Sequence, residues 1–169
     1  CLVGSEMCIR DRVKSVSLRT RILIEDMFDT MYESGGVGLA APQIGVLKRI
    51  VVMDTDDNQH VLINPQILEV SGEQTGYEGC LSIPGKSGIV TRPDYVKVKA
   101  LNERGEEYVL EGEGLLARCI CHECDHLDGI LYSDKAEGGL INNEDLPEDE
   151  EEELYEDAYE EFTEEEIHK

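Results

Sequence analysis

Apolar positions along the chain follow two different patterns. Over residues 18–32, Ile22, Leu23, Met27, Phe28 and Met31 recur at helical spacing. That is the period of a helix with one buried face. The run Ser34-Gly35-Gly36 ends it, because glycines and serines break regular structure. A second helical pattern covers residues 115–127, with Leu115, Leu116, Cys119, Ile120 and Leu127 as its apolar positions. Between them lie short segments rich in Val and Ile, which read as strands: 47–53, 61–63, 67–70, 88–91, 96–101 and 107–110. Asn64-Pro65, other Gly and Pro residues, and the run Asn102-Glu103-Arg104-Gly105 separate them. Short strands flanked by helices predict an α+β domain with mostly antiparallel pairing.

Composition adjusts this picture in three ways. Aromatic residues make up 5% and Trp is absent, so the core must be aliphatic. No apolar run reaches the eighteen residues that a membrane-spanning helix needs. The formal charge is -23, which argues against general nucleic-acid binding, since that requires a basic footprint. The charge is uneven: the last 28 residues carry fifteen of the 38 acidic groups and a net -14. That stretch reads as a solvated acidic tail, 142–169, in which Leu154, Tyr155, Ala158, Tyr159 and Phe162 keep a weak helical spacing. At the other end, residues 1–12 match no pattern and read as a non-native stretch, so Cys1 and Cys8 carry no weight. No apolar signal segment is visible either, so a reducing compartment is expected and the thiols are candidate ligands rather than disulfides.

The densest chemistry is His122-Glu123-Cys124-Asp125-His126. Two His four apart on a helix point the same way, so both imidazoles can reach one ion, with Glu123 beside a water there. A catalytic site of this kind needs a third protein ligand and an open position. Cys80, in Glu78-Gly79-Cys80-Leu81-Ser82, is one candidate. A thiolate with two imidazoles suits Zn²⁺ or Fe²⁺. The rival is a structural zinc site built from Cys119, Cys121, Cys124 and a His. Asp125 stays open between orienting a ligand and lying on the surface. In the run from Gly35 to Gly45, Gly36 to Ala41 matches G-x-G-x-x-A formally. However, it follows a helix and precedes Pro42, so it is a poor dinucleotide site. Its use is close backbone approach to a substrate, with Gln43 as an uncharged amide donor.

Together, GVGLAAPQIG, EGCLS and HECDH resemble the three signature motifs of the peptide deformylases, in order and at ordinary spacing. The resemblance covers residues 13–140. It implies mostly antiparallel short-stranded sheets around a central HExxH helix. The implied activity is removal of the formyl group from N-terminal formylmethionine of nascent polypeptides. By the same resemblance, Cys80, His122 and His126 hold one divalent ion, Fe²⁺ first and Zn²⁺ second. Glu123 is the acid-base, and Gln43 and the Leu81 backbone N–H hold the formyl oxygen. Gly38 contacts the substrate, and Val37, Leu115 and Cys119 line the methionine pocket. The implied partners are formylmethionyl peptides and nascent chains, with transient ribosome proximity but no direct nucleic-acid or membrane contact. The implied location is the bacterial cytoplasm, with an organelle as the alternative. Residues 13–141 are then the catalytic domain, lacking an N-terminal strand-forming stretch, and its loss should expose a sheet edge. Two readings compete: a zincin-like metallopeptidase, and an inactive acidic interaction module on the same fold.

Overall fold

The structure is a computed structural model that describes residues 11–55 and 58–146. Helix α1 spans Leu18–Glu33. Ser17 caps it, accepting a hydrogen bond from the Thr20 N–H, which satisfies one of the orphan donors of the first turn. Its buried stripe is Thr20, Ile24, Met27 and Met31. This stripe is rotated from the expected one: Ile22 faces solvent, because the 24/27/31 row is the one that meets the sheet.

Eight strands follow in two antiparallel sheets. Strands β1 (Gly38–Ala40), β2 (Ile50–Thr55), β3 (Asn58–Ser71), β6 (Tyr95–Leu101) and β7 (Glu107–Glu113) form one sheet in the order β1-β2-β3-β6-β7. Strands β4 (Gln74–Cys80), β5 (Ile83–Arg92) and β8 (Glu137–Asn142) form the other, in the order β4-β5-β8. Helix α2 spans Gly114–Asp128 and ends at Gly129, whose φ of 78° is the left-handed conformation that closes helices.

The larger sheet lies between the two helices. Along β2, Ile50 and Val52 point into the cluster containing Ile24, Met27 and Met31 of α1. Val51 and Met53 point the other way, into the cluster with Ala117, Ile120 and Leu127 of α2. Side chains alternate across a strand, so a strand covered on both faces reads as one unbroken apolar run. Each such buried side chain contributes about 1.5–3 kcal/mol relative to exposure. The opposite face of α2 meets the smaller sheet through charged groups: Arg118 and His122 contact Glu78, and Asp125 contacts Arg92.

The strands differ from expectation in one instructive place. Segments 61–63 and 67–70 are not two strands but parts of β3, which runs through Asn64-Pro65 with a register shift there. Asn64 takes a positive φ of 53°. Its side-chain amide bonds the Val13 N–H and C=O, both at 2.8 Å. The bulge bends the strand without ending it. β3 has 14 residues and β5 has 10, and the other six strands are short, as expected. The expected helical spacing in the tail and residues 1–10 of the expected non-native stretch 1–12 lie outside the described residues.

Candidate metal centre

Two sheets and one helix converge on the site. His122 and His126 stand one turn apart on α2, with ring centroids 4.7 Å apart and planes at 82°. Cys80 ends β4, where the strand turns back into β5. The Cys80 Sγ lies 3.2 Å from His126 Nε2, and the two Nε2 atoms lie 3.1 Å apart. Among the described residues, this is the one group whose ligand atoms are close enough to share an ion, all within 4.8 Å of one another. The Cys119/Cys121/Cys124 alternative does not assemble: those three thiols are buried on α2.

The donor chemistry fits a divalent ion. Burial would raise the Cys80 thiol, but hydrogen bonds with His122 and His126 outweigh it and hold it down at about 5. Cys80 is therefore a thiolate at neutral pH, the form that binds metals. His122 Nδ1 is tied to Glu78 Oε2 at 2.9 Å. That bond orients the ring and leaves Nε2 facing the thiolate. Glu78 is itself held by the Arg92 Nε and Nη2, at 2.8 and 3.0 Å, and by Arg118 Nη1 at 2.9 Å. Burial opposes its charge, yet the bonds from His122 and Arg92 prevail and keep its carboxyl near 2.

Glu78, Arg92 and Arg118 carried no assigned role in the sequence. The missed signal is simple: Glu78 lies two residues before Cys80, and on a strand such residues share a face. Asp125 does not touch a ligand. It accepts from Arg92 at 2.5 Å and from Lys135 at 2.6 Å, so it reaches His122 only through Arg92 and Glu78.

Glu123 occupies the inner side of the cluster. It is 4% exposed, and its Oε2 is buried with no hydrogen-bond partner among the described residues. Burial raises its carboxyl to about 7. Gly38 backs onto it: a Cβ there would lie 2.6 Å from Glu123 Oε1 and 2.8 Å from Cys119 Sγ, so no larger residue fits. Gln43 is fixed by its Oε1, which accepts from the Ala40 N–H at 2.8 Å. Its Nε2 therefore faces Ser82 Oγ at 3.2 Å and Cys80 Sγ at 3.7 Å. Leu81 sits in the turn after Cys80, with its side chain against Gly36.

An open cleft of ≈ 760 Å³ runs past these groups. Val37, Gly38, Gln43, Cys80, Leu81, Leu115, Cys119, His122 and Glu123 all line it, so nine of the ten expected site residues share one cleft. The tenth, His126, sits behind it against Cys80. The family model for polypeptide deformylase matches residues 4–139.

The chain belongs to the polypeptide deformylase family.

A peptide deformylase of Agathobacter rectalis is 62% identical over 128 residues, covering 76% of this chain and 81% of that protein. The crystal structure of the Legionella pneumophila peptide deformylase aligns with a TM-score of 0.73 and 46% identity, covering 77% of this chain and 79% of that one. A class I type b peptide deformylase from Acinetobacter baumannii, with Met-Ala-Ser bound, aligns with a TM-score of 0.73 and 36% identity. That match covers 79% of this chain and 94% of the other. The mixed fold of two helices and antiparallel sheets is thus a peptide deformylase fold. Deformylases are metal-dependent, and the Cys80/His122/His126 group is where this chain can hold the ion.

Proposed function

We propose that this chain hydrolyses the formyl group from the N-terminal formylmethionine of nascent polypeptides, releasing formate and a free α-amine. The observation that carries the mechanism is Glu123 Oε2, buried and without a partner among the described residues, one residue from His122 and near the Cys80 thiolate. A buried carboxyl left without a partner is costly unless it serves a ligand.

Cys80, His122 and His126 would hold one divalent ion, Fe²⁺ ahead of Zn²⁺; the soft thiolate and two imidazoles accept either. When bound, the ion supplies Lewis-acid polarisation and makes water acidic enough to be deprotonated near neutral pH. Glu123, raised to about 7, takes a proton from the attacking water and later delivers it to the departing amine. The water oxygen adds to the formyl carbon, the C–N bond breaks, and the proton ends on nitrogen. Gln43 Nε2 and the Leu81 backbone N–H donate to the formyl oxygen as charge develops on it. Gly38 lets the substrate backbone pass close to Glu123. Val37, Leu115 and Cys119 receive the methionine side chain. The partner is the nascent chain near the ribosome, met in the bacterial cytoplasm without direct contact to nucleic acid. No helix among the described residues is long and apolar enough to cross a membrane.

The test is turnover of formyl-Met-Ala-Ser against its acetylated counterpart, with release of free Met-Ala-Ser as the readout. Formate release from the first alone supports the reading. Internal peptide cleavage would favour the zincin-like alternative, and no turnover by the metal-loaded protein the inactive module. The Met-Ala-Ser seated in the Acinetobacter baumannii enzyme supports the choice of peptide.

A further inference from the structure

Arg118 stands on the same side of α2 as the site, one turn before His122 and three residues after Leu115, and it lines the cleft with them. Its side chain is 13% exposed. Its position is fixed at one end only. Nη1 donates to Glu78 Oε1 at 2.9 Å and to the Val90 carbonyl at 3.3 Å. Nη2 makes no hydrogen bond among the described residues. It lies against Gly76 of β4, where an added Cβ would sit 3.4 Å away, and Gly76 also lines the cleft.

The charge around Arg118 is not fully balanced. Glu78 is shared between Arg118, Arg92 and His122. Arg92 has Asp125 as a second anion, which Lys135 also claims. A guanidinium whose Nη2 is unclaimed among the described residues therefore borders the cleft, and Val37, Leu115 and Cys119 give that cleft an apolar stretch among its polar groups. An unbranched apolar side chain carrying one strong acceptor near its end matches that combination. Oxidation of methionine to its sulfoxide produces this kind of group from the same side chain.

We infer that Arg118 is a specificity-determining residue that lets this enzyme deformylate N-formylmethionine sulfoxide as well as N-formylmethionine. This rests on the deformylase reading. The sulfoxide oxygen accepts from Arg118 Nη2, and a donor already held in place by Glu78 loses little freedom on binding. The sulfoxide itself is unchanged in the reaction: water adds to the formyl carbon, the C–N bond breaks and formate leaves.

The experiment compares kcat/KM for formyl-Met-Ala-Ser and its Met-sulfoxide counterpart in the metal-loaded native chain, Arg118→Leu and Arg118→Lys. The readout is the ratio of the two substrates within each protein, because any disturbance of Glu78 or the ion acts on both peptides alike. In the native chain the sulfoxide peptide should fall within about tenfold of the thioether peptide. In Arg118→Leu the sulfoxide:thioether ratio should drop by a further factor of about ten or more, the scale of a lost hydrogen bond to a charged group. Arg118→Lys should fall between. A ratio that stays constant or rises in Arg118→Leu overturns the inference while leaving the deformylase reading intact. Failure of the native chain on the thioether peptide overturns both.

Discussion

Cys80, at the end of β4, and Cys121 and Cys124, on α2, place one residue type in opposite surroundings. Cys80 is half-buried, and two imidazoles hold its thiol down at about 5. Cys124 is packed among apolar side chains, and burial pushes its thiol up to about 12; burial raises Cys121 as well. Cys119 lies nearer the site, yet burial, with Glu123 close by, raises it too. Spacing on a helix places two thiols on one side but does not make them ligands. A ligand needs neighbours that stabilise the thiolate, and Cys80 finds them in His122 and His126 of α2 and in the Ser82 N–H. The three α2 cysteines behave as small hydrophobic residues.

The widest gap between the two regions should appear on truncating the ligand. Cys80→Ser should lose bound metal and with it deformylation, since an alcohol stays protonated where the thiol ionises. Metal content by elemental analysis, read beside turnover of formyl-Met-Ala-Ser, checks this; full metal stoichiometry in the variant would move the ligand set elsewhere. Next comes Glu123→Gln, which should keep the metal and lose at least ~10²-fold in turnover. Near-normal turnover with metal bound would remove Glu123 from its role.

A smaller effect separates the regions by pH. Glu78 has its carboxyl lowered from about 4.5 to about 2 in the folded chain. Its contribution to stability is therefore complete above pH 4.5 and is lost as pH falls from there towards 2. Urea midpoints of the metal-free protein between pH 6 and 3 should fall more steeply for the native chain than for Glu78→Gln. Parallel slopes would mean that the carboxylate is not engaged as described. The least effect belongs to α2: Cys121→Ala and Cys124→Ala should retain the metal and cost about 1 kcal/mol each, an ordinary core truncation. Loss of metal from either would revive the cysteine-rich alternative.

These contrasts also explain what the sequence could disclose. His122, Glu123 and His126 were legible because one helical turn fixes their relation without any long-range information. Cys80 was legible through its motif, but the imidazole its sulfur meets lies 46 positions away in His126. β4 was missed because Gln74–Cys80 has two glycines and no alternating apolar run; its seven pairings with β5 hold it as a strand. With β4 unread, Glu78 could not be placed beside Cys80, and the Glu78–Arg92–Arg118 group stayed invisible. β8, with its Gly138-Gly139 pair, was hidden in the same way and exists through pairing with β5. Asn64-Pro65 was read as a stop because the Asn64 side chain's use as an anchor for Val13 is a tertiary fact. α1 was found at nearly its full length, but which stripe is buried depends on the sheet it meets.

The two-sided burial of β2 has a consequence for motion. Ile50 to Met53 are wholly excluded from solvent, and Val51 to Met53 pair with β1 on one side and β3 on the other. Releasing that strand would detach α1 on one face and α2 on the other. Its amide protons should therefore exchange with solvent only through global unfolding, while the β4–β5 turn opens at far lower free energy. The helix that bears both imidazoles thus packs on a strand wholly excluded from solvent, and the thiolate stands at a more exposed turn. If the ion is held as proposed, its loss should begin from the Cys80 side.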